Sequence, residues 1–210
     1  MIKNNLKMML ITSAVILLPI LVGVILWDKL PQNMPIHWNA SGEVDGWCNK
    51  VFAVFGMPLC MMAIHWLCVV VTLSDPKKQN HSQKMMALVF WLVPALTIVV
   101  FTMTYAVAMG KSLQIDAVVS VFSGLLFVVI GNYMPKCKQN YTIGIKLPWT
   151  LHSEENWNRT HRFAGRIWVI SGLAIILMGF FGLLWIMLGI TLIMALVPIV
   201  YSYVLHLKGV

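Results

Sequence analysis

The chain has 210 residues, of which 60% are apolar and 10% are charged, and its mean hydropathy is +0.83. Such a composition offers too little polar surface to cover a soluble globular protein, so we expect lipid to be the solvent. The formal net charge of +8 does not indicate a nucleic-acid partner, because no compact basic array with interleaved aromatic residues stands apart from the predicted membrane flanks.

Long uncharged stretches predict six crossings of a membrane. The 20 residues between Lys7 and Asp28 carry no charge, and about 20 helical residues suffice to cross a hydrocarbon core of roughly 30 Å. The same criterion predicts spans over residues 51–73, 85–109 and 115–134. The uncharged stretch 167–207 is too long for one span, so we expect the chain to reverse near Gly179 to Gly182.

The predicted fold class follows from these spans and from the distribution of basic residues. Backbone groups in lipid must be paired within each segment, which favours an all-α integral membrane protein built as a six-transmembrane-helix bundle. If the N-terminus is cytoplasmic, twelve of the 15 Lys and Arg residues lie on the inner side, in agreement with the positive-inside bias. Both the N and C termini are therefore expected to be cytoplasmic.

The first of two polar segments runs from Leu30 to Lys50 and reads LPQNMPIHWNASGEVDGWCNK. It is expected to form an ordered outer loop within residues 28–50. Pro31 and Pro35 restrict the backbone locally, and turn formers follow in the middle of the segment.

Several side chains of this outer loop are candidates for binding. His37, Glu43 and Asp45 have the chemistry to coordinate a metal or to meet a cationic ligand, but they lack a diagnostic metal spacing and fit turn and cap positions as well. Trp38 and Trp47 suit the headgroup interface of a membrane. Three acidic and two basic side chains give the loop a formal charge of −1, a weak preference for basic peptides. No bound metal or cofactor is expected.

The second polar segment runs from Gly131 to Arg166 and reads GNYMPKCKQNYTIGIKLPWTLHSEENWNRTHRFAGR. Its proline and glycine residues predict a turn and an extended stretch, followed by a helix. Ser153 is a suitable N-cap residue, so the helix is expected to start near Glu154.

Aromatic residues on this helix predict contact with the membrane surface. Trp157, His161 and Trp168 are spaced by four and seven residues, which places them in one stripe along the helix. Three arginines are expected to pair there with lipid phosphates or with carboxylates: Arg159, Arg162 and Arg166.

Four polar residues are not explained by such anchoring and are predicted to form a network at the inner mouth of the bundle: Asn132, Asn140, Lys146 and Thr160. In the second span, His65 is expected to be a neutral, hydrogen-bonded structural residue, although a role as a gate or relay stays open. The sequence has no HExxH motif and no serine or cysteine in a nucleophile motif, so no enzymatic activity is expected.

Both polar segments resemble known signatures, in the expected order. The outer segment is similar to the signature of the DUF1648 segment, and the inner segment is similar to that of the SdpI family of bacterial immunity proteins. The resemblance implies a multi-pass protein of the bacterial cell membrane that protects its producer from a secreted antimicrobial killing peptide. It also implies that a cytoplasmic transcriptional repressor is held at the membrane when the toxin is present.

The resemblance assigns candidate site residues position by position. The outer, ligand-binding set is Pro31, Pro35, His37, Trp38, Asn39, Gly42, Asp45, Trp47 and Lys50. The cytoplasmic, partner-binding set is Asn132, Asn140, Gly144, Lys146, Pro148, Trp149, Trp157, Thr160, His161 and Gly165. Lys146 stands where arginine is the commoner residue of the family. A single ammonium group thus replaces a planar guanidinium that can donate two parallel hydrogen bonds.

The resemblance also predicts a domain organisation. Residues 1–73 form a DUF1648-like segment of two spans with the outer loop, residues 74–130 the central spans, and residues 131–210 an SdpI-like segment with a cytoplasmic loop (131–166) and the last two spans. Two other functions stay open. The first is a transporter of a small amphipathic molecule, and the second is a metal-dependent membrane enzyme acting at the inner surface.

Overall fold

The computed structural model of the protein describes residues 2–39, 41–181 and 184–210. Within these ranges, six helices are long and apolar enough to cross a membrane, which confirms the number predicted from the uncharged stretches. The chain divides into two compact units. One consists of residues 1–73 and 86–115, and the other of residues 74–85 and 116–210.

The first unit contains long helices and one small sheet. Its elements are α1 (Ile2–Ile25), a 3-10 turn (Trp27–Lys29), β1 (Asn33–Trp38), β2 (Val44–Asn49), a π-helical turn (Phe52–Gly56), α2 (Met57–Leu73) and most of α3 (Gln83–Ala108).

The antiparallel hairpin of β1 and β2 was not part of the all-α prediction, which is wrong in this respect. The strands carry no clean alternation of apolar and polar residues, because Pro35 and Gly46 interrupt the pattern. The register also shifts on both sides of His37, as expected of a bulge.

The core of the first unit lies beneath the hairpin. Buried residues of the hairpin and of its flanking helices form one cluster there: Leu30, Met34, Ala53, Val54, Phe101 and Tyr105. The Tyr105 hydroxyl donates a hydrogen bond to the Pro19 carbonyl at 2.8 Å. Gly23 makes room for that hydroxyl, since a Cβ at this position would lie 2.7 Å from it. The cluster therefore fixes the base of the hairpin to the ends of three helices.

The second unit contains the remaining long helices and the inner polar segment. Its elements are a 3-10 turn (Lys78–Asn80), α4 (Ile115–Tyr133), a 3-10 turn (Met134–Lys136), α5 (Pro148–His152), α6 (Glu154–Gly179) and α7 (Leu184–Leu207). The chain reverses between α6 and α7, and α6 ends at Gly179 as predicted. Gly182, the other end of the predicted reversal, lies outside the described residues.

The start of α6 agrees with the sequence prediction. The Ser153 side chain accepts a hydrogen bond from the Asn156 N–H at 3.1 Å and so caps the helix. Glu154 and Glu155 occupy the first turn, where carboxylates face the positive end of the helix dipole.

Small residues allow α4 and α6 to approach each other closely. A Cβ built on Gly172 would lie 2.6 Å from the Gly124 carbonyl oxygen, and a Cβ on Gly165 would lie 2.6 Å from the Gly131 carbonyl oxygen. Each pair is therefore in backbone contact. Such contacts replace the hydrophobic effect as a source of helix association in lipid, because packing and weak Cα–H···O contacts require this proximity.

We predict that Gly172→Ala destabilises the protein by about 1–3 kcal/mol, because its methyl group would overlap the α4 backbone. The matched control is Gly189→Ala, whose Cβ would meet nothing within 4 Å. It should be neutral or more stable by up to about 1 kcal/mol, since alanine is the better helix former. Thermal unfolding midpoints in mild detergent measure both effects, and equal midpoints for the two variants would contradict the contact between α4 and α6.

Candidate functional site

The outer hairpin turns through a network centred on Asn39. Its side-chain oxygen accepts hydrogen bonds from the N–H groups of Ser41 at 2.8 Å and Glu43 at 3.0 Å. The Asn39 N–H donates to the Glu43 carbonyl at 2.9 Å, and Gly42 has a φ of 75°, which favours glycine. The outer loop is therefore ordered, as predicted.

The hairpin presents a distinct exposed surface. His37, Asp45 and Trp47 are exposed. Trp47 has 56% of its surface exposed, which is more than the other tryptophan of the hairpin, Trp38. Met34 and Pro35 are buried. Of the other residues assigned to ligand binding, Pro31 is also exposed, whereas Trp38 is half-buried and Pro35 and Lys50 are buried.

The exposed surface includes one polar pair. His37 Nδ1 lies 2.5 Å from Asp45 Oδ1. Glu43 instead faces Asn39, whose side-chain nitrogen donates to Glu43 Oε2 at 3.3 Å. Because a Cβ on Gly46 would lie 2.7 Å from His37 Cβ, only glycine leaves the histidine in this position. His37, Glu43 and Asp45 therefore do not converge, and none of the described residues form a cluster of three or more metal-binding side chains.

Lys50 holds the base of the hairpin. Its side chain is buried, with 7% exposed, and its Nζ donates hydrogen bonds to the carbonyls of Trp27 and Leu30, each at 3.0 Å. The same Nζ lies 4.7 Å from the centre of the Trp27 ring. The neighbouring Asn49 side chain accepts from the Phe52 N–H at 2.8 Å. This placement favours a structural role for Lys50 over direct contact with a ligand.

His65 forms the hydrogen bond predicted for it inside the first unit. Its Nε2 lies 2.9 Å from Thr12 Oγ1, while that hydroxyl donates to the Met8 carbonyl at 2.8 Å. The Thr12 side chain thus joins the imidazole on α2 to the backbone of α1. The Phe90 ring packs edge-on against the imidazole, with 6.3 Å between ring centres.

In the second unit, a buried carboxylate organises the polar segment. Asp75 Oδ1 accepts from the Lys77 N–H at 2.7 Å, and its Oδ2 accepts from the Tyr141 N–H at 2.9 Å and the Thr142 hydroxyl at 2.8 Å. His81 Nε2 is 3.4 Å from the same oxygen. Burial alone would raise the pKa of Asp75, but these hydrogen bonds and the His81 charge together lower it from its usual 3.8.

Gln139 joins the same two stretches of chain. Its side-chain nitrogen donates to the carbonyls of Thr150 at 2.9 Å and Leu151 at 3.0 Å. Its side-chain oxygen accepts from Lys77 Nζ at 2.5 Å, and its carbonyl accepts from the Asn80 side chain at 2.7 Å. Residues 74–85 and 137–151 are therefore one hydrogen-bonded structure.

Asn140, predicted to belong to a polar network, forms the turn beside it. Its side-chain oxygen accepts from the N–H groups of Thr142 at 2.9 Å and Ile143 at 2.6 Å, and its nitrogen donates to the Lys138 carbonyl at 2.9 Å. Burial raises the pKa of the neighbouring Cys137 thiol to about 11, although a hydrogen bond from Asn140 lowers it in part. Cys137 is therefore a protonated, unreactive thiol at neutral pH.

Trp157 and His161 lie inside this structure, so their predicted position at the membrane surface is wrong. Both side chains are buried and stack with 4.0 Å between ring centres. The Trp157 indole N–H donates to the Cys137 carbonyl at 2.7 Å. His161 Nε2 accepts from the Ile145 N–H at 3.0 Å, and its Nδ1 donates to the Trp157 carbonyl at 2.8 Å. His161 is therefore neutral. The Gly144 backbone, with a φ of 117°, packs against both rings and leaves no room for a Cβ.

A second buried group connects α5, α6 and α7. The Asn156 side chain donates to the Ser202 carbonyl at 3.0 Å and accepts from the Thr160 hydroxyl at 3.0 Å. The Trp149 indole N–H donates to the Ser202 hydroxyl oxygen at 2.9 Å. Thr160 and Trp149, both assigned to the cytoplasmic set, therefore serve the packing of the last helices.

The other members of the cytoplasmic set lie elsewhere. Lys146 is exposed and donates to the Thr142 carbonyl at 2.9 Å. Pro148 is exposed at the start of α5, and Asn132 is exposed on α4. Gly165 is buried against α4. Asn140 and Thr160 therefore lie in two separate buried groups, with Lys146 at the edge of the first, so the four residues predicted to form one network are divided between separate places.

Sequence reasoning missed Asp75, Gln139 and Asn156, each of which takes part in two or more of the hydrogen bonds just described. One signal was available for Asp75. It is the sole acidic residue between Asp45 and Asp116, in a loop that is otherwise basic.

Comparison with known proteins identifies both polar segments. Residues 136–202 match the SdpI/YfhL protein family, and residues 14–62 match DUF1648, a domain of unknown function. The chain is 27% identical over 199 residues to the "Immunity protein SdpI" of Bacillus subtilis (strain 168), an alignment that covers 93% of this chain and 92% of that protein. No solved structure matches the chain. The resemblance predicted from the sequence is confirmed, and the chain is a multi-pass bacterial membrane protein.

We predict that Asp75→Asn loosens the inner segment. The three groups that donate to Asp75 bond to two carboxylate oxygens, whereas an amide side chain has only one acceptor oxygen. The expected loss is about 2–5 kcal/mol of local stability, as for a buried charged group that loses its partners. Amide hydrogen exchange at Tyr141 and Lys77 measures this loss. Glu154→Gln, which removes an exposed charge, is the control and should leave the exchange of these amides nearly unchanged.

Acid should reproduce the effect in the unaltered protein. Because the pKa of Asp75 is lowered in the folded state, its contribution to stability is complete above its ordinary value of 3.8 and disappears as the pH falls through the lowered value. If the Tyr141 and Lys77 amides exchange as slowly in Asp75→Asn as in the unaltered protein, this carboxylate does not have the role assigned to it.

Proposed function

We propose that this chain, which carries a DUF1648 segment followed by an SdpI/YfhL family segment, is a bacterial immunity protein against a secreted antimicrobial peptide. The observation that carries the proposal is the similarity to an immunity protein over 93% of the chain. The role is not enzymatic. Protection comes from binding or neutralising the peptide before it damages the membrane.

The outer hairpin is the proposed peptide-binding surface. His37, Asp45 and Trp47 are exposed on a sheet whose turn and base are fixed by Asn39 and Lys50. A rigid platform binds a flexible peptide more tightly than a mobile loop does, because less conformational entropy is lost. An exposed tryptophan beside a carboxylate suits an amphipathic, basic peptide, since the ring offers apolar contact and Asp45 offers charge.

We further propose that the inner segment binds a cytoplasmic transcriptional repressor. Its exposed residues include Tyr141, Lys146 and Pro148, which lie on the outside of the hydrogen-bonded structure around Asp75 and Asn140. In this proposal, residues 1–73 carry the peptide-binding segment, residues 74–130 the central spans, and residues 131–210 the segment that contacts the repressor.

The proposal places the hairpin outside the cell and the inner segment in the cytoplasm, with both termini cytoplasmic. Single cysteines in a cysteine-free background test this orientation: Ser41→Cys in the hairpin turn and Lys138→Cys in the inner segment, both at exposed positions. A membrane-impermeant maleimide should label Ser41→Cys in intact cells and Lys138→Cys only after permeabilisation. The native Cys137 cannot serve, because it is buried with a raised pKa. Labelling of Lys138→Cys alone in intact cells would reverse the orientation.

We predict that His37→Ala and Trp47→Ala lower protection in a peptide-sensitive strain without lowering the amount of protein in the membrane. Loss of a central contact costs about 2 kcal/mol, so the tolerated peptide concentration should fall by a factor on the order of 10 or more. Trp185→Ala is the matched control, because it removes another exposed tryptophan (79%) on α7.

A second control separates binding from folding. Lys50→Met should lower the membrane abundance, since the carbonyls of Trp27 and Leu30 lose their donor. Full protection by His37→Ala and Trp47→Ala at normal abundance would exclude the hairpin surface as the binding site. Unaltered killing of cells that express the unmodified chain, with every peptide tried, would leave the immunity function itself without support.

A further inference from the structure

One face of α6 carries a stripe that changes from cationic to apolar along its length. Its members follow one another at intervals of three or four residues: Arg159, Arg162, Arg166, Ile170, Leu173 and Leu177. At about 100° per residue, these positions fall within an arc of roughly 80° on the helix. All six side chains are exposed, with 68%, 52% and 59% exposure for the three aliphatic residues in that order.

The stripe lies apart from the face that α6 uses to pack. Gly165 and Gly172 face α4, and Trp157 and His161 are buried in the inner segment. Arg159 pairs with Glu155, with 2.5 Å between Nη2 and Oε1. Arg162 and Arg166 are exposed next to the apolar part of the stripe.

The length of the apolar part sets the depth of these arginines. Thirteen residues of α6 follow Arg166, and they extend about 20 Å along the helix axis, less than the roughly 30 Å of a hydrocarbon core. A short apolar stretch draws its flanking residues toward the lipid headgroups, where long cationic side chains extend to the phosphates. In a membrane crossed by α6, this length would bring Arg166, and Arg162 one turn earlier, to the level of the phosphate groups.

We propose that this stripe is a binding site for an anionic phospholipid. The guanidinium groups of Arg162 and Arg166 bind the phosphate diester through paired N–H donors, and one acyl chain lies along Ile170, Leu173 and Leu177. A phosphatidylglycerol headgroup retains a net negative charge, whereas a phosphatidylcholine headgroup carries its own ammonium group. The two arginines therefore select the anionic lipid.

The test uses the purified full-length protein in mild detergent, titrated with phosphatidylglycerol or with phosphatidylcholine, and reads the thermal unfolding midpoint. The unaltered protein should be stabilised at lower concentrations of phosphatidylglycerol than of phosphatidylcholine. In Arg162→Gln/Arg166→Gln, the half-saturating concentration of phosphatidylglycerol should rise about tenfold, equivalent to ~1.4 kcal/mol.

Controls separate a site from general attraction between charges. Lys78→Gln/Lys84→Gln removes the same charge from two other exposed positions and should keep the response to phosphatidylglycerol. Arg162→Lys/Arg166→Lys keeps the charge and should fold even if the glutamine variant does not; it should bind phosphatidylglycerol more weakly than the unaltered protein, because lysine lacks the paired donors. Glycerol phosphate, which has the headgroup chemistry without acyl chains, should give no comparable stabilisation.

Three results would overturn the proposal. One is an equal response of the unaltered protein to both lipids. Another is an equal loss of the response to phosphatidylglycerol in Arg162→Gln/Arg166→Gln and in Lys78→Gln/Lys84→Gln, which would indicate a diffuse electrostatic effect. The third is full stabilisation by glycerol phosphate alone, which would indicate a phosphate site without a lipid chain.

Discussion

Every polar backbone group that this chain removes from water must find a partner within the chain, and this constraint determines the structure of both polar segments. The long helices satisfy it by themselves. The two connecting segments have too little regular structure to do so, and side chains supply the missing partners. Asn39 and Lys50 do this in the outer hairpin, and Asp75 and Asn140 do it in the inner segment.

The same constraint explains why Trp157 and His161 lie inside the protein. At a membrane surface, their polar nitrogens would face water or headgroups, and the backbone of residues 137–145 would lack two of its partners. Inside, the indole N–H satisfies the Cys137 carbonyl, and the imidazole nitrogen satisfies the Ile145 N–H. The stacked rings add apolar contact that an exposed stripe would not provide. An amphipathic spacing on a helix is thus compatible with two environments, and the hydrogen-bond requirement of a distant loop selects one of them.

Features set by neighbouring residues could be predicted from the sequence. The six apolar helices and the Ser153 cap of α6 are of this kind, because hydropathy and capping act over a few residues. The hairpin could not be predicted by alternation, since Pro35 and the register shifts beside His37 remove the pattern. The role of Asp75 was also missed, because Tyr141 and Thr142 lie 66 and 67 residues away. No local pattern shows which residues a side chain contacts at such separations, and the resemblance to a family identified the segments without showing which of their residues are buried.

The division of the chain into interleaved units has a consequence for biosynthesis. The connection between α2 and α3, residues 74–85, belongs to the second unit, although most of both helices belongs to the first. As the ribosome extends the chain, Asp75 emerges well before its donors at Tyr141 and Thr142 and must stay hydrated until they arrive. The first three helices can therefore be inserted while this connection still lacks its partners from residues 141 and 142. The hydrogen bonds of Asp75 are completed only after the fourth helix has been translated, so a product that stops before residue 141 would retain a carboxylate that lacks two of its donors.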